Sequence, residues 1–164
     1  MLKARRAFEE GHQRKFLVVL DDTPECERAV IYAARRAQRT GGGLAMLYVV
    51  PPSEFQHWLG VEEIMRAEAQ SEADATVDRY VGLLRAQGLS LTPERLVREG
   101  DGHEAIIDLI HDDEDIAILV LAAGTGKDGP GPLVTMIGQR AGTFPIPVTI
   151  VPGDLNDDVI EAIA

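Results

Sequence analysis

Short unbroken apolar runs alternate along this chain with longer stretches of helical periodicity. "KFLVVL", Lys15–Leu20, is a continuous apolar run, the pattern of a strand covered on both faces. Asp21-Asp22-Thr23-Pro24 stops it, with Thr23 placed to cap a helix and Pro24 at the first helical position. Ala29, Val30, Ala33, Ala34 and Ala37 share one face of that helix, which runs to about Thr40 and ends at Gly41-Gly42-Gly43. "LAMLYVV", Leu44–Val50, is a second buried strand closed by Pro51-Pro52. A looser segment with His57 and Trp58 leads into a long helix from about Val61 to Gln87. "ERLVRE", Glu94–Glu99, alternates like a half-exposed edge strand.

Gly100-Asp101-Gly102 then turns into "HEAIIDLIHDD", a short helix with Ala105, Ile106, Leu109 and Ile110 facing inward. "IAILVLA", Ile116–Ala122, is another buried strand, followed by a glycine-rich loop and a short helix in "LVTMIGQRA". "PVTIV", Pro147–Val151, reads as the last strand, and "DLNDDVIEAIA" as a final helix with Leu155, Val159, Ile160 and Ile163 as its apolar stripe. Strands alternating with helices predict a parallel sheet wrapped on both faces, with right-handed crossovers. Ligands in such sheets bind at the carboxyl ends of the strands, where the winding reverses. Two segments fall there: Asp21-Asp22-Thr23 and the loop Gly124–Gly131.

Composition narrows the function. The 164 residues suffice for one domain with a sizeable core, and with 45% hydrophobic and only 5% aromatic residues that core is aliphatic. A net charge of −11 repels nucleic-acid phosphates and anionic membranes, so neither is expected as a partner. No run is long enough to span a bilayer and the basic start lacks an apolar signal core, so a cytoplasmic chain is expected. Cys26 is the single cysteine and reads as a small buried thiol. Charge is uneven: residues 1–15 form a basic extension, 16–153 the domain, and 154–164 an acidic helix or tail. The ends read as solvated, or else as the basic end of one subunit meeting the acidic end of another.

The motifs exclude more than they establish. A phosphate loop of the G-x-x-x-x-G-K-[ST] type would need glycine where Leu121 stands and a hydroxyl where Asp128 stands. The spacing G-x-G-x-x-G occurs at Gly124, Gly126 and Gly129, but Pro130 and Pro132 interrupt the long helix it should open. His12, His57, His103 and His111 lack metal-ligand spacing, and there is no G-x-S-x-G nucleophile turn. Asp21 and Asp22 could work as an acid/base pair, although aspartates at a strand end more often cap a helix or hold a ligand hydroxyl.

The strand ending at Asp21, "ERAVIYAARRAQRTGGGLAMLYVV", "REGDGHEAIIDLI", "DIAILVLAAGT" and "FPIPVTIVP" stand in an order and spacing that resembles the universal stress protein family, single-domain bacterial type, from Phe16 to Val151. The resemblance implies a flavodoxin-like doubly wound α/β fold, five parallel strands in order 3-2-1-4-5. It also implies homodimers paired through the last strand, Pro147–Val151, and in one branch of the family an ATP site. In nucleotide-binding members the aspartate ending the first strand touches the nucleotide, and Asp21 matches it. Backbone near the end of the second strand reads adenine, which falls at Val49. Phosphates and ribose lie on a loop G-x₂-G-x₉-G-[ST]. Counted back from Pro145 and Pro147, Thr135 takes the hydroxyl position, Val134 the last glycine, Gly124 the middle one and Leu121 the first.

One family glycine and the hydroxyl residue are thus present. Added are Gly126, Gly129 and Gly131, the cation Lys127, and a short helix whose N-terminal N–H groups point at the loop. With Asp22, Thr23 and Thr125, these residues make a rebuilt pocket for ATP with Mg²⁺, for AMP, or for another small anion. Two other readings stay open: a dimeric scaffold or sensor acting on an unknown partner protein, and a weak nucleotide hydrolase in which Asp21 or Asp22 activates water.

Overall fold

A computed structural model describes residues 3–52 and 61–164; the segment with His57 and Trp58 lies outside the described residues. The chain runs β1 (Lys15–Leu20), α1 (Cys26–Thr40), β2 (Gly43–Val50), α2 (Val61–Ala86), β3 (Glu94–Glu99), α3 (Gly102–Asp112), β4 (Ile116–Ala123), α4 (Pro132–Gln139), a 3₁₀ turn (Ala141–Thr143), β5 (Val148–Pro152) and α5 (Asp157–Ile163). The five strands form one parallel sheet in the order β3-β2-β1-β4-β5, with the half-exposed β3 at one edge as its alternation predicts.

Alternate residues of the central strands feed two cores. Phe16, Val18, Leu20, Met46 and Val120 pack with the alanine face of α1, with Val77, Tyr80 and Leu84 of α2, and with Ile160 of α5. Leu17, Val19, Leu47, Leu119 and Leu121 pack with Ile106, Leu109 and Ile110 of α3 and with Ile137 of α4. Burial on both faces is why these strands read as unbroken apolar runs.

Four expectations change in detail. Helix α1 begins at Cys26, with Glu25 rather than Thr23 at the N-cap position and no side-chain cap. Thr23 instead donates its N–H (2.9 Å) and its hydroxyl to Asp21 Oδ1. An aspartate two residues upstream competes for these donors and closes a local turn before the helix can start. The last strand is shifted by one residue: Pro147 contributes only its carbonyl, which accepts from the Leu119 N–H at 3.0 Å.

The apolar stripe of the final helix splits. Ile160 is buried and Leu155 packs against the core, but Val159 and Ile163 are 40% and 55% exposed. The helix is only two turns long and lies against α1 with one face. Arg28 anchors it, donating to Leu155 O at 3.0 Å and to Asp157 Oδ1 at 2.6 Å. That hydrogen bond, with a second from Gln87, holds the Asp157 carboxyl below the usual carboxylate range.

The basic segment before β1 is not a solvated end. Arg5 donates to the carbonyls of Ile110 and Asp113, each at 2.7 Å, and the Arg6 N–H to Glu114 O at 3.0 Å. His12 Nδ1 lies 2.7 Å from Asp115 Oδ1. The acidic turn after α3 in the same chain therefore attracts the basic segment.

Candidate functional site

Strand β1 is the switch point of the sheet: the chain leaves it through α1 toward β2 on one side, and returns through α3 to β4 on the other. Parallel sheets open a crevice at the carboxyl ends of two such strands. Here the crevice lies between Asp21–Glu25 after β1 and the loop from Gly124 after β4.

Two cavities share this crevice. The inner one, about 80 Å³, has apolar walls from Val19, Cys26, Ala29, Leu121 and Val134, with Asp21, Thr23 and Glu25 among its polar lining. It has room for a few water molecules only. Leu121 and Val134 occupy the two places where the phosphate-loop pattern has glycine, and their side chains take up the space that glycines would leave. The outer groove, about 910 Å³ and open to solvent, is lined by Thr23, Pro24 and Glu25 from one side and by Gly124–Gly126, Asp128, Gly129, Gly131, Pro132 and Thr135 from the other, with Met136, Gln139 and Gly153. That volume is in the range of small-ligand pockets.

The loop is ordered by its own bonds. The Gly124 N–H donates to Pro130 O at 3.0 Å, and the Gly129 N–H to Gly126 O at 3.3 Å. Pro130, Gly131 and Pro132 cross between the two cavities. Gly131, at φ +108° and ψ 159°, occupies the N-cap position of α4, backbone an L side chain rarely adopts, and Pro132 opens the helix.

Of the residues singled out from sequence, Asp21 lines the inner cavity and Thr23 both cavities, while Gly124, Thr125, Gly126, Gly129 and Thr135 line the groove. Asp22, Val49 and Lys127 line neither. Val49 packs into the core beneath α3 and α4. Asp22 faces Tyr48, whose phenol is pushed up first by burial and then by the nearby Glu72 and Asp22 carboxylates.

Asp21 is held from both ends. Its carbonyl accepts from Tyr80 Oη at 3.0 Å, while its carboxylate takes the two Thr23 donors. Burial pushes the Cys26 thiol up to about 11, so this cysteine is the inert core thiol that its sequence context suggests.

Sequence reasoning passed over Glu25 and Gly153, and named Asp128 only as a departure from the phosphate-loop pattern, although it lines the groove. Glu25 lines both cavities, and a Cβ on Gly124 would lie 3.0 Å from its Oε1. Its signal was position alone, one residue before the helix. Gly153 follows the strand next to β4, and a glycine at the carboxyl end of a neighbouring parallel strand was the available clue. His103, which lacked metal-ligand spacing in the sequence, is half-buried and accepts at Nε2 from Arg140 Nη1 at 3.0 Å.

Among the described residues no helix is long and apolar enough to cross a membrane, and no cluster of three or more His, Cys, Asp or Glu could hold a metal ion. The sequence model of the universal stress protein family matches residues 13–152. Solved structures share the fold. The universal stress protein UspA from Lactobacillus plantarum is 20% identical, with a TM-score of 0.66 over 91% of this chain and 99% of its own. A universal stress protein in complex with cAMP is 18% identical, with a TM-score of 0.62 over 86% and 98%. A universal stress protein from Archaeoglobus fulgidus in complex with dAMP is 20% identical, with a TM-score of 0.56 over 84% and 97%. No curated protein matches the chain.

Proposed function

Since the chain belongs to the universal stress protein family, we propose that it is a stress-type regulatory protein that binds an adenine nucleotide at the carboxyl ends of β1 and β4. The observation that carries this reading is the groove of about 910 Å³ at the sheet's switch point, with Gly124, Thr125, Gly126 and Thr135 along one wall. The hydroxyls of Thr125 and Thr135 are donors available to ribose and to a phosphate, whereas the Thr23 hydroxyl already donates to Asp21, the residue that matches the family's nucleotide-contacting aspartate. That two proteins sharing the fold were solved in complex with cAMP and dAMP supports the choice of an adenine nucleotide.

The test is thermal unfolding with and without AMP, and with ATP and Mg²⁺, after a denatured sample has been checked for co-purified nucleotide. A ligand that binds only the folded state, at a hundred times its dissociation constant, stabilises by about 2.7 kcal/mol. For a chain of this size that raises Tm by about 5–10 °C. Absence of any shift at millimolar nucleotide, with none in the extract, overturns the reading and leaves the scaffold role.

A second reading, a homodimer paired through β5, rests on its own observation. β5 is the outer strand of the sheet, and Ile150 on it is 44% exposed, near in sequence to the exposed Val159 and Ile163 of α5. An unpaired edge with an apolar side chain is a surface that pairing with a second copy would cover. Sedimentation at micromolar concentration is expected to give a dimer that Ile150→Glu converts to monomer; a monomeric parent protein sinks the idea.

A further inference from the structure

Resting on the nucleotide reading above, we infer that Glu25 makes the crevice selective against polyphosphate, so that it takes a nucleoside or its monophosphate in preference to a triphosphate. Three observations converge. First, the residues lining the two cavities include the carboxylates of Asp21, Glu25 and Asp128 and no lysine, arginine or histidine. Phosphate-binding sites offset ligand charge with cations, and each added phosphate charge here meets carboxylates instead. Lys127, the one cation of the loop, does not line the groove.

Second, Glu25 sits where phosphate would be held. It occupies the N-cap position of α1, the end of a helix that favours negative charge, and it forms no cap bond with its side chain. Its Oε1 lies 3.0 Å from the position of a Cβ on Gly124, so the carboxylate rests against the glycine that the family pattern turns toward phosphate. Arg28, the nearest cation in sequence, is engaged by Asp157 at 2.6 Å, and no ion pair to Glu25 is found among the described residues.

Third, the backbone donor of that glycine is already used. The Gly124 N–H bonds to Pro130 O, and the loop must open before it can donate to a ligand. An uncharged ribose needs none of this, because the threonine hydroxyls of the groove suffice for it. A single phosphate can face solvent at the groove's open side. A triphosphate chain has to pass Glu25.

The experiment titrates adenosine, AMP and ATP, the last with and without Mg²⁺, into the intact protein and into Glu25→Gln by calorimetry. The parent is expected to bind adenosine or AMP more tightly than ATP. Glu25→Gln, isosteric but uncharged, is expected to raise the ratio of ATP to adenosine affinity about tenfold, equivalent to about 1.4 kcal/mol. Asp128→Asn, further out on the loop, should move the same ratio less. A parent that prefers ATP, or a ratio unmoved in Glu25→Gln while adenosine still binds, overturns the selectivity and leaves the nucleotide site standing. Failure of all three ligands to bind either protein overturns the nucleotide site itself.

Discussion

Gly153→Ala is expected to destabilise the fold by about 3 kcal/mol, toward the upper end of what overpacking a closed structure costs. A Cβ built there would lie 2.2 Å from the Ala123 carbonyl oxygen and 3.1 Å from Glu25 Cβ. The obstructing atom is backbone, and it belongs to a residue paired in the ladder with Pro152, so no side-chain rotation relieves it. The ends of β4 and β5 must separate by roughly 1 Å to reach an ordinary contact. For a chain of this length Tm should fall by about 6–12 °C. Gly138→Ala is the internal contrast: it stands within α4 with nothing within 4 Å, so a methyl group there should stabilise by about 0.5–1 kcal/mol. Urea unfolding of both variants, with the slope compared to the parent, measures the two effects together. A Gly153→Ala protein as stable as its parent would show that the strand ends are not held this closely.

The same close approach explains part of what sequence could and could not reveal. Strands β1 and β4 were legible because both of their faces are buried, and the stripe Ala29, Val30, Ala33, Ala34, Ala37 because α1 lies flat on the sheet. Their order in the sheet came from likeness to a known family, since alternation alone leaves several parallel topologies open. The position of the crevice followed from the fold. Its contents did not. Leu121 and Val134 were visible as departures from a glycine pattern, but that they wall a cavity of about 80 Å³ depends on Cys26 and Ala29 of α1 facing them across the crevice. Glu25 owes its role to Gly124, 99 positions away, and nothing local marks it.

The start of α1 shows a different failure. Thr23 followed by Pro24 is a sound local signal for a helix start, and it was outcompeted by an equally local one: the Asp21 carboxylate reaches the Thr23 donors first. The turn this makes keeps residues 21–25 out of the helix and leaves Thr23 and Glu25 facing the groove. A helix beginning at Pro24 would put Glu25 in its first turn, with other neighbours. The misplaced boundary and the overlooked site residue therefore have one cause.

The basic segment at the start of the chain gives the other large effect. Arg5→Ala is expected to cost about 2–3 kcal/mol, since bonds from a charged donor contribute about 1.5–3 kcal/mol each and the two made here share one side chain. Arg5 closes the carboxyl end of α3, meeting Ile110 O and Asp113 O at 2.7 Å, and places positive charge where a helix end carries partial negative charge. Its Nε has no partner among the described residues, which offsets part of the gain. Removing the guanidinium leaves both carbonyls to find water in a half-buried place. A solvated tail predicts the opposite, a change within about 0.5 kcal/mol, as is usual for exposed positions. Urea unfolding of Arg5→Ala, with Lys3→Ala on the exposed neighbouring stretch as control, separates the two. Loss in the first variant alone means that the acidic turn Asp112–Asp115 is neutralised from within the chain, so the basic end is already engaged and unavailable to bridge two subunits.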